Sequence, residues 1–367
     1  MSQYIHVIYT AAIIFPILAI FITLPILLVN YHKYGAIPKW SIFMLYTFVF
    51  YMMCAYFLTI LPLPSQSFVA HLTTPTHNFV PFTFVREFIK YNPFSLTHPG
   101  TWVAALKAPT VIQPVFNIFL TVPFGFYLHY YFQRSWKQTI LFTFCLSLFF
   151  ELPQLSGLYG IYPRPYRLFD VDDLLLNTTG GIIGAWGASL LGRFLPTKEQ
   201  VTARTMALSK NVSPLRRGVA LAVDWIIIDL LTNILGIFLI PHWIGIAIGF
   251  VIFILVLELS RQQTIGMRLV GIKVIDRNGQ TASWSKILIR NLFGYGVIGG
   301  LYEIVGRLLD MTATAPKAQL TSILHVVLIL SFGLLLVFVD LLIDWFSQKH
   351  LLFFERLSGR DTASIGK

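Results

Sequence analysis

The sequence predicts an all-α polytopic integral membrane protein with about nine transmembrane helices. Three observations predict it. Hydrophobic residues make up 56% of the 367-residue chain, and the mean hydropathy is +0.71. Charged residues make up only 12%, about half the share usual in a soluble domain. Finally, nine apolar stretches approach the roughly 20 residues that a spanning helix needs. They are 7–29, 40–61, 114–132, 138–156, 173–193, 218–240, 243–258, 291–309 and 320–345.

Taken in order, the first stretch lacks a basic n-region and a small-residue cleavage site, so it reads as a retained helix and not a signal peptide. The seventh is short, which suits a tilted helix or one paired closely with the sixth. An odd number of spans puts the termini on opposite sides, and the basic residues decide which is which. Of the 27 Lys and Arg, 20 fall on the side that carries the C-terminus, including Lys33, Arg134, Arg193, Lys210, Arg261 and Lys367. Six fall on the other side: Arg86, Lys90, Lys107, Arg164, Arg167 and Lys317. Arg307 lies near a helix end. This asymmetry predicts the N-terminus outside and the C-terminus cytoplasmic. It also accounts for the net charge of +11 as a surface facing anionic lipid, with no nucleic-acid partner.

The chain divides into a five-helix region, 1–194, a basic linker, 195–213, and a four-helix region, 214–367. The first region has a long outer loop at 62–113, rich in Pro, Thr, His and aromatics. It is too long for a simple turn and either lies on the membrane surface or folds back as a cap. Between spans seven and eight, the alternating run LVGIKVI precedes an Asn278–Gly279 turn, which predicts a small hairpin. Cys54 and Cys145 both fall inside spans, where they read as small buried apolar residues and not as a disulfide or metal site.

Polar residues then fall at one depth. Span four rises toward the outside, so Glu151 and Gln154 lie one or two turns below its end, roughly 5–10 Å at 1.5 Å per residue. Ser147, Glu151 and Gln154 share a helix face. Span five descends from RLFDVDDLLLNTTGGIIG (167–184), with Asp173 and Asn177 on one face. Span three brings Asn117 to the same level. Asp170 or Asp172 suits the cap of span five, whose dipole favours negative charge. Glu151 and Asn177 need another explanation, since an ionised group inside a span costs roughly 2.5–3.5 kcal/mol. One explanation is a plain pairing of Glu151 with Arg164 or Arg167. The other is a cleft open to the outer leaflet, lined by Asn117, Glu151, Gln154, Arg164, Arg167, Asp170, Asp173 and Asn177. In that cleft, Arg164 and Arg167 would pair with phosphate. Gly180, Gly184 and Ala188 form a small-residue stripe for close helix packing.

Several of these segments resemble the VanZ-like family: NFVPF (78–82), NIFLTVPFGF (117–126), ELPQ (151–154) and RLFDVDDLLLNTTGGIIG (167–184). That resemblance implies a bacterial cytoplasmic membrane and a link to low-level resistance to teicoplanin-type glycopeptides. The second half resembles an RDD family domain through Arg217, Ala220 and Asp224 in RRGVALAVD, through QTIGMRLVGIKVIDRNGQ (263–280), and through Arg290. Met267 stands where that family usually has Lys. Glu355 stands where it has its second Asp.

Three functions follow as expectations. The first is binding of an amphiphile, either a lipid-linked cell-wall intermediate or a lipidated glycopeptide. The second is ion-coupled transport through the second half, using acids such as Asp224, Asp229, Glu258, Glu303, Asp340 and Asp344. For the acids near span ends, pairing with nearby bases is the cheaper explanation. The third is an enzyme acting on a lipid-linked substrate, with Glu151 as candidate general base. No nucleophile-plus-base constellation, metal pattern or cofactor motif accompanies it. His71, His77 and His98 lack ligand spacing.

Overall fold

The computed structural model describes residues 2–276, 283–313, 316–346, 353–358 and 360–365. Among them, nine helices are long and apolar enough to cross a membrane, beginning with Ile8–Tyr34 and ending with Ala318–Val337. The chain forms two compact units, residues 1–21 with 39–201 and residues 22–38 with 202–367.

In the first unit, α1 (Ser2–Tyr34, whose second half counts with the other unit) and α2 (Lys39–Ile60) are followed by the long loop. That loop is folded: it contains α3 (Gln66–Ala70), β1 (His77–Asn78), α4 (Thr83–Tyr91) and α5 (Trp102–Leu106). Then come α6 (Pro109–Phe126), ending in a π-helical stretch at Tyr127–Tyr131, and α7 (Trp136–Leu155). A reciprocal capping box starts α7: Ser135 accepts from the Gln138 N–H while Gln138 accepts from the Ser135 N–H. The short turn α8 (Gly157–Gly160) keeps four consecutive residues at positive φ. β2 (Phe169–Asp170), α9 (Val171–Leu191) and the connecting helix α10 (Lys198–Ser209) follow.

Helices α6 and α9 meet at backbone distance. A Cβ on Gly180 would lie 2.1 Å from the Ile118 carbonyl oxygen, and one on Gly184 would lie 2.0 Å from that of Val122. Gly125 answers from α6 against Gly181. Ala188 is buried on the same helix. The small-residue stripe is therefore an interface in which nothing larger fits. Leu120 and Phe124 of α6 pack with Ala55 of α2 and with Leu146 and Phe150 of α7.

The second unit contains α11 (Pro214–Ile237), capped by Ser213, and α12 (His242–Gly249), which runs through a π-helical stretch at Phe250–Val256 into α13 (Leu257–Arg261). α14 (Ile265–Val270) and β3 (Ile272–Asp276) follow. α15 (Trp284–Asn291), a second π-helical stretch at Leu292–Val297 and α16 (Ile298–Thr312) make one span. α17 (Lys317–Phe346), α18 (Phe353–Ser358) and β4 (Arg360–Ser364) complete the chain. Gly245 and Gly249 seat α12 against Thr232 and Ile228 of α11, the close pairing expected of the short seventh span.

Two sequence expectations change, and a third, the Asn278–Gly279 turn, lies outside the described residues. The strand before it, β3, pairs with β4, antiparallel, with Ile272 opposite Ser364 and Asp276 opposite Arg360. The end of α1 packs in the second unit, where Tyr31, 2% exposed, joins Val219, Met267 and Val270 in one core. Cys54 is half-buried and Cys145 exposed, both as free thiols. An apolar thiol is stable on a lipid-facing helix surface, so a span position did not require burial in protein.

Orientation is testable directly. With Cys54 and Cys145 replaced by Ala, His98→Cys should react with an impermeant maleimide in intact cells. Arg204→Cys should react only after permeabilisation. The reverse pattern would invert the topology.

Candidate functional site

The N-terminus of α9 gathers most of the polar residues singled out above. Asp170 is its N-cap, accepting from the Asp172 N–H at 2.9 Å. Asn78 also donates to Asp170, at 3.1 Å, beside the parallel pairing of His77 with Phe169 and Asn78 with Asp170. Burial pushes the Asp170 carboxyl above the usual carboxylate range, while the bonds from Asp172 and Asn78 pull it back.

Asp172 is the residue whose role the sequence concealed. It is 2% exposed and uses both oxygens on the loop, accepting from the Phe82 N–H at 2.6 Å and the Phe84 N–H at 3.0 Å. Phe82 sits at φ 62°, a strained left-handed position at the start of α4. The NFVPF segment is thus clamped to the first turn of α9 at both ends.

One turn deeper, Asn117 donates to the Asp173 carboxylate. Asn177 donates to Ser147 Oγ at 2.8 Å, and Ser147 donates to the Asp173 carbonyl at 3.3 Å. Thr121 donates to the Asn177 carbonyl at 2.5 Å. Thr121 was absent from the sequence set, although its place one turn below Asn117 is a usable signal. Asn177 Oδ1 is buried with no hydrogen-bond partner among the described residues. Glu151, 2% exposed, accepts from the Asp170 N–H at 3.3 Å, and Gln154 donates back to Phe150 of its own helix at 3.4 Å.

The two arginines do something different from either expectation. Arg167 donates to the Thr59 and Leu61 carbonyls at 2.6 and 3.0 Å, at the C-terminal end of α2 where carbonyls lack helical partners. Arg164 donates to the Leu72 and Thr74 carbonyls. Among the described residues neither makes an ion pair with Glu151. Arg167 staples its loop to the end of a span, and Arg164 staples it to the backbone of the 62–113 loop.

A cavity of about 360 Å³ opens beside this network, between α4, α6 and the start of α9. Its polar wall includes His77, Thr83, Thr110, Asn78, Gln113 and four carboxylates, Glu87, Asp170, Asp172 and Asp173, with no Lys or Arg among its described lining. Of the residues expected to share one cleft, Asp170 and Asp173 line this cavity. Asn117, Glu151, Gln154, Arg164, Arg167 and Asn177 do not.

In the second unit, Arg217 pairs with Glu355, both buried. Glu258 accepts from Arg290 at 2.9 Å and from Asn291 at 3.0 Å. Asp340 pairs with Arg356, while the side chain of Asp344 lies outside the described residues. Asp224 departs from the expected ion-pair pattern: its donors are the Thr264 hydroxyl at 2.5 Å, the Gly266 N–H at 2.7 Å and the Tyr295 hydroxyl at 2.9 Å. Three neutral donors thus satisfy this buried carboxyl, with no Lys or Arg partner among the described residues. Tyr295 reaches it from the π-helical stretch of span eight, an irregularity with no counterpart in the apolar pattern.

These features define a multi-pass helical membrane protein with a loop-capped polar network in its first half. Residues 48–192 match the family model VanZ/LLP1, and residues 211–359 match the RDD family model. The chain is thus a tandem of a VanZ-like region and an RDD region. No curated protein and no solved structure compared with it matches.

Proposed function

We propose that the VanZ-like region binds the polar head of an amphiphile in the cavity beside the first turn of α9, with that end facing outside. The lining carries the inference: four carboxylates and two amides meet at the ends of membrane spans with His77 beside them and no Lys or Arg among the described lining. Acceptors of this kind select donors, the hydroxyls of a sugar or an ammonium group. A lipid-linked cell-envelope intermediate and a lipidated glycopeptide both present such a head above an acyl chain. The latter fits the VanZ-like resemblance to proteins linked with teicoplanin-type resistance. Glu151 and Asn177 support the wall from behind. With Arg164 and Arg167 occupied by carbonyls, phosphate recognition is not part of this proposal.

The test is protection of cells against a teicoplanin-type antibiotic at matched protein level. Gln113→Trp fills the mouth of the cavity from an exposed position on α6. Glu151→Gln replaces the buried carboxyl with an amide of the same shape. Both should return protection to that of cells lacking the protein, whereas Ile182→Val should not. Full protection by Gln113→Trp and Glu151→Gln would leave the polar layer as a helix staple only.

A second reading, ion-coupled transport, rests on a cavity of about 540 Å³ in the second unit. Asp229, His242 and Glu303 line it, and Glu303 bonds His242 at 3.1 Å and Arg307 at 3.0 Å.

A further inference from the structure

We propose that the second unit holds an anion site for a phosphate group, carried by a phospholipid headgroup or free in solution. It lies where the last turn of α1, the end of α10, the start of α11 and the α14–β3 corner meet.

A cavity of about 590 Å³ lies there. Its wall includes His32, Lys33, Lys210, Arg216 and Arg268, and no Asp or Glu among the described lining. Arg216 is the brace. It is 1% exposed and donates to the carbonyls of Val270 at 2.8 Å, Ser209 at 3.2 Å and Gly271 at 2.9 Å, and to Ser364 Oγ at 3.1 Å. Every one of these partners is neutral, so among the described residues no carboxylate compensates the charge of Arg216 while its geometry is fixed.

Two glycines allow this close approach. Gly35 and Gly271 hold φ of 68° and 69°, and a Cβ on either would come 3.3 or 3.2 Å from Arg216 Nη2. His32 is also anchored, with Nδ1 at 3.2 Å from the Leu269 carbonyl oxygen.

The remaining cations, Lys33, Lys210 and Arg268, are exposed and make no ion pair among the described residues. Lys33 lies 5.0 Å from the centre of the Tyr34 ring. Like charges gathered on one cavity repel, and an anion relieves that repulsion. The depth points the same way. Tyr34 ends the first span and Arg216 is the third residue of the sixth, so the cavity sits at the level of lipid headgroups. Tyr34, partly exposed on the cavity wall, provides an amphipathic ring of the kind usual at that level. Three lysine or arginine donors around a fixed guanidinium suit the several acceptor oxygens of a phosphate.

The experiment uses the full chain in neutral detergent micelles. Thermal protection is titrated with dioleoyl phosphatidylglycerol, with inorganic phosphate, and with phosphatidylcholine as the uncharged reference, at matched ionic strength. Native mass spectrometry counts retained lipid. Each of Lys33→Gln, Lys210→Gln and Arg268→Gln should weaken binding about fivefold, and the triple variant on the order of 100-fold. Lys198→Gln, which lies outside the cavity, should not change it.

Variant-dependent protection by phosphatidylglycerol alone assigns a lipid headgroup. Protection by inorganic phosphate as well assigns the phosphate group itself. Either upholds the site. Equal retention of phosphatidylglycerol by parent and triple variant overturns it, as does equal retention of phosphatidylcholine by the parent. If the triple variant aggregates, unchanged affinity in all three single variants overturns it as well.

Discussion

Gly184→Ala is expected to prevent the first unit from accumulating in folded form, although it adds a single methyl group. At this position the new Cβ would stand 2.0 Å from the Val122 carbonyl oxygen and 2.8 Å from the Phe126 N–H nitrogen. Both are backbone atoms of α6, so no rotamer change can relieve the clash and the helices must separate. Overpacking a well-packed core typically costs about 1–3 kcal/mol and more where backbone must move. Separation would also pull Asn117 from Asp173 and Thr121 from Asn177, the side-chain bonds that span the same interface. Gly187→Ala is the internal control. A Cβ there meets nothing within 4 Å, and alanine is the better helix former by about 1 kcal/mol. Yield of monodisperse protein and thermal midpoint separate the two. Equal stability of both variants would mean that α6 and α9 are not packed at backbone distance.

That interface was legible in the sequence because glycines four residues apart on an apolar helix have a single economical use. The spans were legible for the same reason: apolar length is local. So was the shared face of Asp173 and Asn177, which follows from helical period alone. What the sequence did not reveal depends on groups without a signature. Arg164 and Arg167 end on backbone carbonyls, and every residue offers one of those, so a charge-pairing argument had no means to find them. Asp172 resembled a helix cap because its position allowed it. Its actual partners, two N–H groups in the 62–113 loop, are about 90 residues away. β3 was recognisable as a strand by alternation, but its partner β4 lies at the far end of the chain. An Asn–Gly dipeptide nearby made a local hairpin the simpler inference. Asn117, Ser147, Asp173 and Asn177 do join the three helices on which their spacing placed them, whereas the cavity lies nearer the loop than the buried residues suggested.

Arg217→Ala and Glu355→Ala are each expected to destabilise the second unit by about 3–5 kcal/mol, since each leaves its partner's charge buried. The pair lies 7% and 0% exposed. Removing both partners should cost less than the sum, and that coupling is what a double-mutant cycle measures. Arg217→Met with Glu355→Met should recover most of the loss, because apolar side chains of similar volume avoid desolvating two charges. Stability recovered in this way, with any transport activity also retained, would define the pair as structural. Asp224→Asn asks the complementary question. Its amide NH₂ would have to face one of three donors now held by carboxylate oxygens, at a cost of about 1–3 kcal/mol. A loss of thermal midpoint without any sodium- or proton-coupled flux in parent proteoliposomes would assign Asp224 to the tie between α11, α14 and span eight. Flux in the parent that disappears in a fully folded Asp224→Asn variant would instead make that carboxylate part of an ion path, and would favour transport as the role of the RDD region.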